Sequence, residues 1–396
     1  MKATKHTQLL ASVLFILTIF GATAQGVKIA DNNFNAPTGD DIYPTIQAAI
    51  DAADPGDYVY VQPSPTTYGS VHIEKEIHLV GIGFNLDKDS PLQSTMLDVT
   101  LRNNIDNTSD ASNSSVTGLT IRDIYTTIYP GAPTITLEGL KISNCQIQEL
   151  QNLCCGTTYA PVNNMEIFGN YFTESVDFAN QATNIIVRNN LFDGNVYFAS
   201  SNPNSGVVSN NIFYGAVGKA SQGDNLIIQN NNFIGATGST AAFISVMIDA
   251  IVVNNIFYGR TPSVTTGGGS TSTNFQRNTF TNNLSFSTGD DLLPPAGGGI
   301  SNQGSGNLEA TAPLLTNVPL LSTWASTYDF TLGAGSLAID GGSDNSDIGI
   351  SGGPYPFTEV NFILKTTAIP TIQIFNTSTV INPGDDLDVR VKAKAN

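Results

Sequence analysis

The chain has 396 residues and a formal net charge of −17 at pH 7, with 16 Lys and Arg against 33 Asp and Glu. This charge argues against nucleic acid and anionic membrane as partners, because both need a cationic surface. Hydrophobic residues make up 40% of the sequence, so it can build a large core although only 12% of its residues are charged.

The first 24 residues have the three parts of a secretory signal in order. Lys2 and Lys5 give a basic start, residues 9–20 are apolar, and small residues precede a cleavage position near Ala24. The apolar stretch is too short to span a membrane. We therefore predict a secreted or cell-surface protein without membrane insertion.

The first element predicted after the signal is a helix. In PTIQAAIDAA (44–53), Ile46, Ala49, Ile50 and Ala53 fall on one helical face. Alternating strand patterns follow in YVYV (58–61) and VHIEKEIHLVGIG (71–83). The helix is therefore placed to cover the open edge of the first strands.

A motif of two asparagines, a spacer and a phenylalanine then recurs, as in VRNNLFDG at 187–194 and VSNNIFYG at 208–215. Its phenylalanines return at intervals of 20 to 24 residues, and a fixed period of this length is typical of a solenoid. Apolar residues alternate within each repeat, and no amphipathic helix fits between them. Each repeat therefore predicts one coil of short strands, and the stacked coils predict a parallel β-helix.

The two asparagines of the motif predict different roles. The first position holds Asn or Gly, residues that tolerate a left-handed bend, with Arg277 as the exception. The second is asparagine in every copy, which indicates an inward amide that bonds unpaired backbone groups and the next coil. Asn211→Ala should then destabilise the protein by about 1–3 kcal/mol, and Asn210→Gly should be nearly neutral.

The phenylalanine two positions later should point inward and stack from coil to coil. A weaker copy at 140–147 places Asn144 in the bend position and Cys145 in the amide position. The predicted structural residues are the amides Asn170, Asn190, Asn211, Asn231, Asn255 and Asn278 and the rings Phe172, Phe192, Phe213, Phe233, Phe257 and Phe280.

The stretches TIQAAIDAADPGDYVYVQP and VHIEKEIHLVGIG and the later NN-x-F copies resemble the secreted right-handed β-helix, or pectin-lyase-like, proteins of bacteria. The resemblance covers roughly residues 40 to 355. It implies an all-β, right-handed parallel β-helix solenoid with an N-terminal capping helix. That superfamily contains polysaccharide lyases, glycosidases, esterases and non-catalytic surface proteins, so the resemblance leaves the function open.

The predicted domain organisation is a signal peptide at 1–24, a β-helix at 25–357 and a short C-terminal β cap or appendage at 358–396. Two alternating strands around the turn at 382–385 indicate the last of these, with a sorting or anchoring role as the alternative. The three cysteines, Cys145, Cys154 and Cys155, form no disulfide framework. Pairing of Cys145 with one of the other two and free buried thiols both stay open.

Three residues are candidates for catalysis. Lyases of the resembling superfamily use an Arg or Lys base, and Arg188, just before a bend, is the best such residue, with a solvated surface arginine as the alternative. Glycosidases use paired acids. Asp177 aligns with Tyr197 on an outward strand face, and Asp193 opens the turn between them.

An Asp beside a Tyr on a flat sheet suits hydrogen bonding and stacking against a sugar ring. Asp177, Tyr197, Tyr214 and Tyr258 are therefore candidate carbohydrate-binding residues. The alternative is that loops cover these aromatic rings.

The acidic run Asp340, Asp344 and Asp347 could hold Ca²⁺, although its spacing is not that of an EF-hand and a structural turn explains it as well. No cofactor is firmly implied. We predict a β-helix that binds extracellular polysaccharide or serves as a rigid surface element, without catalysis. The alternative is a polysaccharide lyase or glycoside hydrolase acting on an extracellular glycan.

Overall fold

The structure is a computed structural model that describes residues 25–84, 92–151, 159–178, 181–198, 204–219, 225–238, 241–264, 273–295, 300–357, 371–377 and 389–394. The predicted signal, the predicted turn at 382–385, Cys154 and Cys155 lie outside the described residues. The described chain is nearly all β, with one helix and two long parallel sheets, and it is a parallel β-helix.

One long sheet contains 13 strands, each contributed by a different turn of the chain and each parallel to its neighbours. We call it the first sheet. In stacking order its strands are Ile42–Tyr43, Val27–Ala30, Asp57–Val61, Ile77–Val80, Ser115–Thr117, Lys141–Ser143, Glu166–Phe168, Ile185–Arg188, Ser205–Ser209, Asn225–Gln229, Ile251–Val253, Thr279–Thr281 and Gln303–Ser305.

The second sheet contains 15 strands and divides after one long strand. Its undivided part is Val71–Ile73, Thr95–Leu101, Thr120–Thr126 and Gln146–Gln151. The corner branch continues as Tyr171–Phe172, Leu191–Phe192, Ile212–Phe213, Asn232–Ile234, Ile256–Tyr258 and Leu284–Phe286, and the outer branch as Val176–Phe178, Val196–Phe198, Val217–Lys219, Ala241–Ser245 and Thr261–Val264. A turn separates the two branches within each coil.

Smaller sheets complete the described structure. Parallel strands Leu137–Glu138, Val162–Asn163 and Ala182–Thr183 form one, and Met247–Ile248 with Phe275–Gln276 forms another. The antiparallel pairs are Leu315–Asn317 with Asp329–Leu332, and Thr371–Thr377 with Val389–Lys394.

The predicted helix is present as Ile46–Ala52. Thr45 caps it, with its hydroxyl accepting a hydrogen bond from the Ala48 amide at 3.1 Å. Ile46, Ala49 and Ile50 are buried in the same core as the first coils. Among the described residues, no helix has the length and apolar character needed to cross a membrane.

The second asparagine of each motif lies inside the solenoid and is fully buried. The amide nitrogen of Asn190 donates to Asn211 Oδ1 at 3.0 Å, and that of Asn211 donates to Asn231 Oδ1 at 3.0 Å. The same amide of Asn211 also donates to the Val187 carbonyl at 2.8 Å. Each side chain therefore joins its own corner to the coil on either side.

The phenylalanine rings stack along the same direction. Ring centroids lie 5.0 Å apart for Phe172 and Phe192, 4.8 Å for Phe192 and Phe213, 5.0 Å for Phe213 and Phe233, and 5.2 Å for Phe233 and Phe257. The neighbouring planes are tilted by no more than 10°. This column fills the core beside the buried amides.

The last predicted copy of the motif, with Asn278 and Phe280, lies at a different corner of its coil from the other copies. Asn255 bonds to Asn283 at 3.0 Å, and Phe257 pairs in register with Ser285, so Asn278 and Phe280 do not continue the two rows. Asn278 belongs to a second corner, where its amide donates to Asn302 Oδ1 at 3.0 Å, and Phe280 continues the column of Val252. The prediction failed because both corners place an asparagine before an inward apolar residue.

The exception at Arg277 has the same explanation. Arg277 has a left-handed backbone at that second corner, with φ of 55°. Asp249, at the same corner of the neighbouring coil, has φ of 59°. Its guanidinium forms two 2.7 Å hydrogen bonds to the Asp249 carboxylate. An ion pair between neighbouring bends therefore replaces the asparagine found at the first corner.

The first asparagine of each motif points outward and binds a returning segment. We call residues 341–355 the strap, because they cross the coils in the reverse of chain order. The bonds run from Asn282 to the Gly341 carbonyl, from Ser343 to Asn254, from Asn230 to Gly349, from Asn210 to Ile350 and Gly352, and from Asn189 to Tyr355. Left-handed geometry is thus one of two reasons for asparagine here.

The strap bonds predict a larger effect for Asn210→Gly than the nearly neutral one expected from the bend alone. The Asn210 side-chain amide is fully buried and donates to the carbonyl groups of Ile350 at 3.0 Å and Gly352 at 2.6 Å, so glycine removes both bonds to the strap. We expect a loss of about 1–3 kcal/mol. Asn144→Gly is the matched control in chemical denaturation, because Asn144 has the same bend, with φ of 53°, outside the strap. Equal effects of the two changes would contradict the strap bonds.

Cys145 occupies an amide position of the inner row. Its amide N–H donates to Asn170 Oδ1 at 2.9 Å, and its thiol donates to the Ser143 carbonyl at 3.1 Å. Burial raises the pKa of the Cys145 thiol to about 12, so at pH 8 the reactive thiolate is scarce. Iodoacetamide should label Cys145 only after unfolding, as peptide mass mapping will show, and labelling of the native protein would contradict this burial.

Candidate functional site

A column of hydrogen-bonding side chains runs along the outer face of the second sheet. Register places five residues directly beside one another on successive coils, about 4.8 Å apart: Thr100, Tyr125, Gln151, Asp177 and Tyr197. We call these five residues the mixed column. All five are half-buried, because the alternation that buries their strand neighbours leaves them on the outer face.

A second column of three carboxylates, Asp98, Asp123 and Glu149, lies beside the mixed column. We call it the acidic column. Arg122 neutralises part of its charge through bonds of 2.6 and 2.7 Å to the Asp98 carboxylate and 3.1 Å to Asp123. The Asp98 carboxylate raises the pKa of Arg122, so this arginine is a poor proton acceptor. The Tyr125 hydroxyl donates to Asp123 at 3.0 Å and ties the two columns together.

Asp177 is a partly buried carboxyl within the mixed column. Its Oδ1 atom is buried and has no hydrogen-bond partner among the described residues. Burial, and then the Glu149 carboxylate on the neighbouring coil, raise the pKa of Asp177. The carboxyl therefore holds a proton at higher pH than an exposed aspartate, which suits a group that donates a hydrogen bond or a proton.

Tyr197 lies in register with Asp177 and places its ring over the next coil. That coil has Gly218 at the same position, and a Cβ there would come within 2.9 Å of Tyr197 Cδ1. The following coil places Ile244 in the column. The glycine therefore lets the tyrosine ring lie flat along the sheet, and the isoleucine limits the column on that side.

The other two candidate tyrosines do not form an open platform. Tyr214 is only 5% exposed, in an apolar cluster with Val318 and Phe330, and Tyr258 is half-buried with its ring stacked on Phe286 at 6.0 Å. Residues after the last coil return over the corner branch and cover this column. The Tyr214 ring is therefore covered, as in the alternative that loops cover these aromatic rings, and carbohydrate binding at Tyr214 and Tyr258 stays a prediction.

The structure does not bring Arg188 together with Asp177. Arg188 lies on the first sheet, and Asp177 lies on the outer branch of the second sheet. The Arg188 guanidinium bonds Glu166 at 2.7 Å and lies over the rings of Phe168 at 4.2 Å and Tyr355 at 4.8 Å. In the structure Arg188 therefore holds the end of the strap. The sequence predicted a base free to act on a substrate, and these contacts do not leave it free.

Asp193 lies in the turn between the two branches of the second sheet. Asp193 is exposed, and its Oδ2 atom accepts a hydrogen bond of 2.5 Å from the Tyr171 hydroxyl. It follows the buried Phe192 directly, so it points away from the core. The carboxylate is therefore accessible and held in place.

The predicted calcium-binding residues lie in turns of the strap region. Asp344 Oδ1 accepts from the Ser346 amide and hydroxyl, and Asp347 Oδ1 accepts from the Asp340 amide at 3.1 Å. Among the described residues, no group of three or more His, Cys, Asp or Glu is arranged to hold a metal ion. Calcium binding at these residues stays a proposal.

The sequence reasoning missed the acidic column. A signal was present, because LDVTL (97–101), RDIYT (122–126) and QELQ (148–151) each place an acid, an aliphatic residue and a polar residue in that order. These copies precede the NN-x-F motif and lack its phenylalanine. An alignment anchored on phenylalanine therefore does not bring their acids into one column.

No protein-family model matches the chain, and no curated protein matches it in sequence. Similar solved structures include a PL6 family polysaccharide lyase from Pseudopedobacter saltans, with 13% identity, 66% of this chain and 90% of that chain covered, and a TM-score of 0.28. They also include an alginate lyase from Paenibacillus sp. str. FPU-7, with 15% identity, 67% and 93% covered, and a TM-score of 0.27.

Proposed function

We propose that this chain is a secreted protein that binds an extracellular polysaccharide along the mixed column. The observation that carries the proposal is the register of Tyr125, Gln151, Asp177 and Tyr197 on successive coils of one sheet face. Such a row offers hydrogen bonds and a flat ring at a regular spacing, which suits a repeating polar ligand.

The charge of the face favours a glycan without acidic groups. The carboxylates of Asp98, Asp123 and Glu149 are opposed by Arg122, which is already paired with the first two. A polyuronate would be repelled unless a cation such as Ca²⁺ bridged the two. Binding to neutral polysaccharides is therefore expected without added calcium, and binding to polyuronates only with it.

Affinity electrophoresis and calorimetry with neutral polysaccharides and polyuronates, each with and without Ca²⁺, test the proposal. Tyr197→Ala should weaken binding about tenfold, which corresponds to ~1.4 kcal/mol. Tyr60→Ala is the matched control, because Tyr60 is a half-exposed strand tyrosine of the first sheet. No retention on any glycan would contradict the proposal and favour a rigid surface element.

A second candidate function, glycoside hydrolysis, is favoured by one observation. Asp177 has a raised pKa and lies diagonal to Glu149, so one acid and one carboxylate share the face. A lyase reaction needs a base beside a uronate, and the Arg122 of this face is held by Asp98. Within the enzymatic alternative, the geometry therefore favours hydrolysis over elimination.

Turnover separates the two enzymatic reactions from binding alone. Hydrolysis should release reducing ends without unsaturated-uronate absorbance, and both Asp177→Asn and Glu149→Gln should abolish the release. Elimination would produce the absorbance. Release of reducing ends that persists in both variants would rule out this carboxylate pair.

A further inference from the structure

A half-open aromatic cradle lies where residues 318–330 cross the corner branch of the second sheet. The Tyr171 and Trp324 rings lie 5.3 Å apart at an interplanar angle of 52°, and both residues are half-buried. Tyr328 is also half-buried and packs on the same apolar cluster. We call Tyr171, Trp324, Tyr328, Asp193 and Tyr214 the Trp324 cradle.

Two polar groups of the cradle lie on adjacent coils. Phe192 pairs in register with Phe213, so the residues that follow them, Asp193 and Tyr214, are outward neighbours. Tyr171 lies on the coil before Asp193 and donates its hydroxyl to the Asp193 carboxylate at 2.5 Å. The cradle therefore combines aromatic faces with an exposed carboxylate that one hydroxyl holds in place.

Two further polar atoms of the cradle are buried and unpaired. The Tyr214 hydroxyl and the Trp324 indole N–H have no hydrogen-bond partner among the described residues. Tyr214 is only 5% exposed. A buried polar group without a hydrogen-bond partner lowers the stability of the folded protein. Neither atom is open to solvent, so the polar group of the cradle that a ligand reaches is the exposed Asp193 carboxylate.

We propose that the Trp324 cradle binds one sugar ring of a neutral polysaccharide, as a subsite separate from the mixed column. The apolar face of a pyranose ring packs on the half-buried ring of Trp324 or Tyr171, and its hydroxyls bond the exposed Asp193 carboxylate. This inference rests on the proposed function. Only the short turn after Asp193 separates the cradle from Tyr197 in the same coil.

Trp324 is the single tryptophan of the chain, so its fluorescence reports on this cradle alone. The probes are cellohexaose, laminarihexaose, mannohexaose and xylohexaose, each titrated into the full chain with calorimetry in parallel. A hexasaccharide that binds should shift Trp324 emission, with a midpoint equal to the calorimetric Kd. Asp193→Asn, which keeps the side-chain shape, should weaken its binding about fivefold or more, and Trp324→Phe should do the same by calorimetry.

The outcomes distinguish the cradle from the mixed column. If a hexasaccharide binds and Tyr197→Ala weakens it, but emission does not change and Asp193→Asn and Trp324→Phe bind normally, the cradle is overturned and the proposed function stands. If no probe and no polysaccharide binds by calorimetry, both are overturned. Tyr60→Ala should leave both emission and affinity unchanged, and thermal melting of every variant confirms that it is folded.

Discussion

Phe213→Ala is expected to lower the free energy of unfolding by about 3–5 kcal/mol. The ring is fully buried and stacked on both sides, at 4.8 Å from Phe192 and 5.0 Å from Phe233. Neighbouring coils are fixed by backbone bonds such as the 2.9 Å bond from the Ile212 amide to the Asn190 carbonyl. Because those bonds keep the coil spacing, the cavity cannot collapse.

Urea denaturation followed by circular dichroism measures the loss. Phe34→Ala is the matched control, because Phe34 is fully exposed and its removal should change stability by less than about 0.5 kcal/mol. Phe213→Leu should fall between the two, since leucine fills part of the space. A Phe213→Ala protein as stable as the Phe34→Ala protein would contradict a rigid, stacked core.

Asn211→Ala should be comparably damaging, with a loss of about 3 kcal/mol. The side chain accepts bonds from the Asn190 amide N–H at 2.9 Å and its side-chain amide at 3.0 Å. It also donates to carbonyl groups of Val187 and Ser209 and to Asn231. Alanine leaves several of these groups unpaired at a fully buried position.

Asn225→Ala provides the comparison for the amide row. Asn225 is an exposed asparagine at the start of a first-sheet strand, and its change should be within about 0.5 kcal/mol of the parent protein. Thermal and urea unfolding of the two variants should therefore differ clearly. Equal stabilities would mean that the inner amides are replaceable by backbone adjustment.

The sequence predicts the coils well because their causes are local. Within each strand, the alternation of apolar and polar residues buries every second side chain. At each bend a left-handed backbone favours asparagine, with φ between 52° and 56° at Asn189, Asn210, Asn230 and Asn254. The same local rule fails at Asn278, because a different corner of the coil has the same requirement. Pattern alone does not say which corner a bend belongs to.

The candidate site was less predictable, because it depends on what covers each face. Tyr214 and Tyr197 have the same outward alternation, but residues 318–330 cover the former and leave the latter half-exposed. The covering segment has no repeat, and it packs on the coils through the apolar side chains of Val318, Trp324, Tyr328 and Phe330. Because these residues follow no period, their identity does not indicate which coils they cover.

The strap also changes how the solenoid should come apart. In a simple repeat array each coil touches only its neighbours, so the ends can fray independently. Here Asn189 and Asn282 are the first and last of the bend asparagines that bond the strap. The strap residue that Asn189 bonds is 166 residues away in sequence. Loss of any coil between them would release that segment from the rest, so these coils should unfold as one cooperative unit.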